Sequence, residues 1–101
     1  MNLAEVIAED RRLAILRTLD EAPATQLNEG ALQHVLDRLG HTVDHDMLRA
    51  DLEWLRSHGL VRTEELDVPR GKLWLAKLST AGADVANGRS RHPGVAQRDP
   101  D

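Results

Sequence analysis

The stretch that decides the fold is Asn28-Glu29-Gly30-Ala31-Leu32-Gln33-His34-Val35-Leu36-Asp37-Arg38-Leu39-Gly40-His41-Thr42-Val43-Asp44-His45-Asp46-Met47-Leu48-Arg49-Ala50-Asp51-Leu52-Glu53-Trp54-Leu55-Arg56-Ser57-His58-Gly59. It reads as two helices, each closed by a glycine. Asn28 is a good N-cap, because its side chain can accept from a free backbone N–H of the first turn. Residues 29–39 then place Leu32, Val35, Leu36 and Leu39 on one stripe, and Gly40 supplies a left-handed C-cap. After the turn His41-Thr42-Val43, either Thr42 or Asp44 caps a helix over 45–58. Its core stripe is Leu48, Leu52 and Leu55, with Met47 and Trp54 beside it, and Gly59 ends it.

Upstream, residues 2–21 carry Leu3, Val6, Ile7, Leu13, Leu16 and Leu19 at helical spacing. Glu9-Asp10-Arg11-Arg12 reads as a solvated band of i,i+3 and i,i+4 charge pairs. Pro23 ends this helix, and residues 25–27 form a connector with one short extended segment. Downstream, residues 60–66 and 72–79 read as two strands of a hairpin around the turn Asp67-Val68-Pro69-Arg70-Gly71. Ser79 or Thr80 caps a last helix over 81–87. Residues 1–88 form one domain, and 89–101, with Pro93, Gly94 and Pro100, read as a flexible tail.

Composition narrows the function classes. The chain has 101 residues, with 13 Lys+Arg against 17 Asp+Glu, a formal charge of −4. That length suits one domain. The absence of Cys excludes disulfides, thiolate zinc sites and cysteine nucleophiles. No apolar run approaches the ~18 residues of a membrane span, and no basic start leads into an apolar stretch, so a soluble cytoplasmic protein is expected. Trp54 and Trp74 are the only aromatics, which weighs against single-strand binding by base stacking. An acidic balance weighs against indiscriminate nucleic-acid binding. No catalytic triad, phosphate-binding glycine loop or nucleophile elbow is present, so no catalytic residue and no cofactor are expected.

The order helix, helix, short turn, helix, β-hairpin, helix defines the expected fold. It is mainly α with a β-hairpin: a winged helix-turn-helix with a three-helix core, a two-stranded wing and a C-terminal helix. Leu52-Glu53-Trp54-Leu55-Arg56-Ser57-His58-Gly59-Leu60-Val61 is similar to the L-x-x-L-x-x-x-G-L-V end of the recognition helix in bacterial winged-helix regulators of the ArsR and MarR types. Leu78-Ser79-Thr80-Ala81-Gly82 resembles the L-T-x-x-G leading from their wing into the next helix. From about residue 5 to 95 the chain resembles small winged-helix proteins encoded in Mu-like prophages. The resemblance implies a phage or prophage origin and a regulatory role.

In a winged helix that binds DNA, the helix over 45–58 enters the major groove. Its outward face would carry Asp46, Arg49, Ala50 and Glu53, with Thr42 and His45 at the entrance. The expected contacts to double-stranded DNA are Thr42, His45, Arg49, Arg70 and Lys72, with Arg49 reading a guanine. Arg62 and Lys77 on the strands, and Arg89, Arg91 and Arg98 in the tail, would add sequence-independent contacts. Against this, residues 44–58 hold four carboxylates and two arginines, a formal −2. Fold alone does not fix function. The competing reading is therefore a protein-interaction module on the same scaffold, binding a phage or host protein.

Three further features bear on partners. His41, Asp44, His45 and Asp46 cluster round one turn, but exposed capping is a better reading than a metal site, and no metal is expected. Leu3, Val6 and Ile7 extend past what a three-helix core needs, which with the terminal-helix pairing of similar regulators points to a homodimer. In the last strand Trp74, Ala76 and Leu78 share the inward face. Leu73 and Leu75 then either face outward as a contact surface or pack under the first helix or the 67–71 loop.

Overall fold

The computed structural model describes residues 2–97. Its elements are α1 (Leu3–Glu21), a single 3₁₀ turn (Pro23–Thr25), β1 (Gln26–Asn28), α2 (Glu29–Arg38), α3 (His45–Ser57), β2 (Val61–Val68), β3 (Gly71–Leu78) and α4 (Thr80–Ala86). The architecture is mixed α/β: four helices and a three-stranded antiparallel sheet in the order β1-β3-β2.

Each helix starts on a short polar side chain. Asn2, Asn28, Asp44 and Ser79 accept from the backbone N–H of Glu5, Ala31, Met47 and Gly82 at 2.8–2.9 Å. Asp44, not Thr42, is thus the cap of α3, and Ser79, not Thr80, the cap of α4. α2 and α3 end alike. His41 N–H reaches the Leu36 carbonyl while Gly40 N–H reaches Asp37, and Leu60 and Gly59 repeat this onto Leu55 and Arg56. Both patterns need a left-handed residue at the glycine, and φ is +89° at Gly40 and +74° at Gly59.

The core is aliphatic. Ile15, Leu16 and Leu19 of α1, Leu32 and Leu36 of α2, and Leu48, Leu52 and Leu55 of α3 meet Val61, Ala76 and Leu78 of the sheet and Val85 of α4. Full burial of each large side chain contributes on the order of 1.5–3 kcal/mol. Leu39 departs from its expected place on the core stripe of α2. It is the C-cap residue, and the chain has left helical geometry there, so its side chain is 58% exposed.

The hairpin is tighter than its composition predicts. Val68 pairs with Gly71 and Asp67 with Lys72, so the strands run on until only Pro69 and Arg70 form the turn. The short extended segment becomes β1, pairing Gln26, Leu27 and Asn28 with Lys77, Ala76 and Leu75. Val61, Thr63, Ala76 and Leu78 face the core. On the opposite face Leu73 stands across from Leu66, and Leu75 lies between Glu64 and Asn28. Leu73 and Leu75 are half-buried among these neighbours.

Two expectations are corrected. Glu9-Asp10-Arg11-Arg12 is not simply a solvated band of local charge pairs. Arg11 forms a two-pronged ion pair with the buried Asp51 of α3, with Nη2 to Oδ1 at 2.9 Å. Arg12 donates to the Gly94 carbonyl at 2.8 Å. Residues 89–97, read as flexible, fold back on α1. Val95 enters the core and Ala96 N–H donates to Glu9. The anchor is Trp54, with the Arg12 guanidinium 4.1 Å from its ring centre, His58 stacked on it at 3.8 Å and His92 at 5.8 Å. Gly94 lies so close to this indole that a β-carbon would come within 2.5 Å of it. The low apolar content of this segment hid the fold-back, because Val95 is its one core side chain and the rest of the anchorage is made by backbone and ring contacts. Arg98 and the residues after it lie outside the described part.

Gly82 sits in α4 with its α-carbon against the Leu60 carbonyl, where an added β-carbon would lie 2.0 Å from the oxygen. Gly→Ala inside a helix ordinarily stabilises by about 1 kcal/mol. Gly82→Ala is expected to reverse that sign and cost about 1–3 kcal/mol, measured by urea unfolding.

Burial first, and then the neighbouring His58 ring, hold His92 below the ordinary histidine value. A base with a depressed folded-state pKa stabilises fully above its unfolded value, and that stability is lost as pH falls. Stability should therefore decline on acidification below about pH 6.5, with a slope of at most about 1.4 kcal/mol per pH unit. His92→Gln should flatten the slope in thermal unfolding followed across pH.

Candidate nucleic-acid interface

The site follows from where α3 and the hairpin meet. α3 buries Leu48, Asp51, Leu52 and Leu55 and leaves His45, Asp46, Met47, Ala50 and Glu53 exposed. Thr42 is exposed in the turn before it. Arg70 is exposed at the hairpin tip, and Lys72, one residue into β3, pairs with Asp67. The structure thus brings Thr42 and His45 to the N-terminal end of α3 and Arg70 and Lys72 to the hairpin end.

Arg49 is placed differently from the expected base reader. Its Nε and Nη2 donate to the two carboxylate oxygens of Glu29, both at 2.8 Å, and Nη2 also donates to the Lys72 carbonyl at 3.0 Å. The guanidinium lies 4.5 Å from the centre of the Trp74 ring. Glu29 is 3% exposed, also accepts from the Trp74 backbone N–H, and has His45 Nδ1 at 3.4 Å. Breaking a buried ion pair by removing one partner costs about 3–5 kcal/mol. A bidentate arginine–guanine contact is worth about 1–3 kcal/mol of discrimination. Arg49 is thus engaged with Glu29 and with β3, and a contact to a base would have to break that pair.

The remaining charges differ in strength of engagement. Arg56 pairs with Glu53 along α3, and Lys77 with Glu64 across the strands. Lys72 and Asp67 are both well exposed, and such surface pairs contribute roughly 0–1 kcal/mol. Lys72 can therefore exchange Asp67 for another anion at little cost. The α3 face has no comparable free cation: Asp46 and Glu53 are exposed, and both of its arginines are matched by carboxylates. Of the residues expected to mediate dimer contact, Leu3 and Ile7 are 74% and 46% exposed, and Val6, Leu73 and Leu75 are half-buried.

Glu29 and Asp51 were not singled out by sequence reasoning. An acid at the first position of a helix is ordinary. Nothing local to Glu29 marks an arginine 20 residues later as its partner. In Asp51 the only sign was a carboxylate one step from the buried stripe.

These observations define a small mixed α/β domain in which a helix–turn–helix is braced by a buried ion pair against an antiparallel hairpin. No helix among the described residues is long and apolar enough to cross a membrane. The chain is 42% identical over 91 residues to the uncharacterized protein gp26 of Escherichia phage Mu, a match covering 90% of each chain. It belongs to the family of that phage protein. It is also 39% identical over 66 residues to an uncharacterized protein of Haemophilus influenzae, covering 65% of this chain and 64% of that one. No protein-family profile and no solved structure matches it.

The Glu29 carboxyl is subject to opposed effects. Burial pushes its pKa up, but the Arg49 hydrogen bonds, the Trp74 amide and the charges of Arg49 and His45 together hold it below the usual value. Its stabilisation is therefore present above about pH 4.5 and is lost as pH falls through the depressed pKa. Glu29→Ala should cost about 3–5 kcal/mol at neutral pH, because it strands Arg49 beside an unsatisfied Trp74 amide. Urea unfolding at pH 7 and below pH 4 checks this, with the penalty shrinking at the acid end.

Proposed function

We propose that this chain is a winged helix-turn-helix DNA-binding protein, acting as a transcriptional regulator of a Mu-like phage or prophage. The observation that carries the reading is the course of the chain. α2, a short turn and α3 are followed directly by the β2–β3 hairpin, β1 closes the sheet, and the side of α3 away from the core stays exposed. In that arrangement α3 approaches the major groove and the hairpin lies along the flanking backbone. Thr42 and the free N–H groups at the start of α3 meet a phosphate, with His45 beside them. Arg70 and Lys72 meet phosphates at the wing. Arg49 has a positioning role, fixing the angle between wing and helix through Glu29 and the Lys72 carbonyl.

The charge pattern makes the expected binding weak and dominated by the wing. Each neutralised phosphate contributes a slope of about −0.9 in log affinity against log salt. A second reading, a protein-interaction module on the same scaffold, is favoured by one observation: both arginines of α3 are already matched, which leaves Asp46 and Glu53 on its face.

Selection of duplexes from a random pool at moderate salt separates the two readings. An enriched sequence supports the regulator. Replacing Arg70 and Lys72 together by Ala should then weaken binding to all duplexes alike and reduce the salt slope by about 2. No enrichment with folded protein overturns the first reading and leaves the second, for which recovery of a bound phage or host protein is the measurement.

A further inference from the structure

The segment 89–97 is held to the domain at a few points, and these converge on one ring. After α4 the chain turns on Asp84, whose backbone carbonyl accepts from the Arg89 and Ser90 amides. It then runs against α1, where Arg12 donates to the Gly94 carbonyl and Ala96 N–H donates to the Glu9 carbonyl. Val95 is its one side chain in the core. A contiguous unit with so few buried apolar contacts opens more readily than the helices beneath it. What it covers is Trp54, half-buried among Arg12, His58 and His92.

The surroundings of His92 decide when this segment opens. The titratable side chains against the indole are Arg12, His58 and His92, with the His58 and His92 rings 5.1 Å apart. Arg91, next to His92 in the chain, adds an exposed positive charge. Carboxylates on the neighbouring elements are engaged elsewhere: Asp51 of α3 pairs with Arg11, and Asp84 of α4 with Arg89. Glu9 of α1 meets the segment through its backbone carbonyl. His92 has no ion pair among the described residues, and its Nε2 is buried without a hydrogen-bond partner. Arg12 Nε is likewise buried and unpartnered, so the cluster already holds a donor more than it has acceptors. In a neutral ring with its proton on Nδ1, the His92 Nε2 is a bare acceptor. Protonation turns it into a charged donor with nothing to accept from it, beside the Arg12 guanidinium and the His58 ring. Burying an unpaired charge costs far more than burying an unpaired neutral group. The closed arrangement therefore accommodates the neutral ring alone, whereas in the open segment His92 takes up its proton in water.

We propose that residues 89–97 are an acid-released strap: proton uptake by His92 opens the segment while the rest of the domain stays folded, and uncovers the Trp54 indole with Arg12 and His58 beside it. Opening binds a proton, so a falling pH favours it. Acid weakens the whole fold through the same residue, but the strap opens first because its attachments are few. The inference is independent of DNA binding.

Amide hydrogen exchange of the full chain tests it, followed by NMR at two pH values about one unit above and below the ordinary histidine value of ~6.5 and corrected for the intrinsic rate at each. The Ala96 amide, bonded to the Glu9 carbonyl, should be protected about tenfold or more below the core amides of Leu52 and Leu55. On going to the lower pH its protection should fall by up to about tenfold, the most that one histidine titrating in the open state supplies over that range. His92→Gln and His92→Phe, neither able to take up a proton, should each lose the fall, and the second keeps a ring against Trp54 so that the segment still closes. Ala96 exchanging only as slowly as Leu52 and Leu55 overturns the proposal, since the segment then opens only with the whole fold. So does protection at Ala96 that is the same at both pH values, or a fall that persists in full in both His92 variants.

Discussion

The arrangement of α2, α3 and the hairpin depends on one buried carboxylate. Glu29 opens α2, directly after the cap residue Asn28, and is buried where α2, α3 and β3 converge. Arg49 comes to it from α3 and the Trp74 amide from β3, and Arg49 continues to the Lys72 carbonyl. Three elements far apart in sequence are thereby joined through two side chains and two backbone groups. An ion pair of this kind gives geometry more than net stability, because desolvating two charges offsets much of their attraction. Its consequence is directional: a hairpin swinging away from α3 would take the Trp74 amide from Glu29 and the Lys72 carbonyl from Arg49.

A second ion pair does the same on the other side of α3. Arg11 reaches across from α1 to the buried Asp51, one residue before Leu52. α3 is therefore held by leucines on its inner stripe and by a charge pair on each flank. Around Trp54 the last described residues complete the packing. Arg12 and His58 lie against the indole, His92 packs beside it, and Gly94 allows the backbone to come into contact. In a chain with two aromatic residues, both indoles thus lie against guanidiniums, Trp54 against Arg12 and Trp74 against Arg49. Such contacts combine apolar coverage with a favourable electrostatic term.

For function, the same geometry changes which residues matter. Arg49 is committed to holding the scaffold through Glu29 and the Lys72 carbonyl, while Arg70 is exposed at the hairpin tip and Lys72 pairs only with the exposed Asp67. The exposed face of α3 is correspondingly acidic.

Much of the fold was legible in the residues alone, because it is written in local chemistry. Helical spacing of leucines, the caps Asn28 and Asp44, and the glycines at 40 and 59 each act within one turn of chain, so the helices and the turn between them could be read directly. Alternation and turn composition marked the hairpin for the same reason. What tertiary structure alone decided were contacts between residues far apart in sequence. Glu29 with Arg49, Arg11 with Asp51, and Trp54 with Gly94 leave no periodic trace, since each needs only one suitable residue at each end. Charges that look solvated by sequence position were buried because a partner met them there, and residues 89–97, which looked too polar to fold, are anchored through His92, Gly94, Val95 and Ala96. Local propensity thus determined which elements form, while the pairing of distant charges decided how they are braced and which side chains remain free to bind.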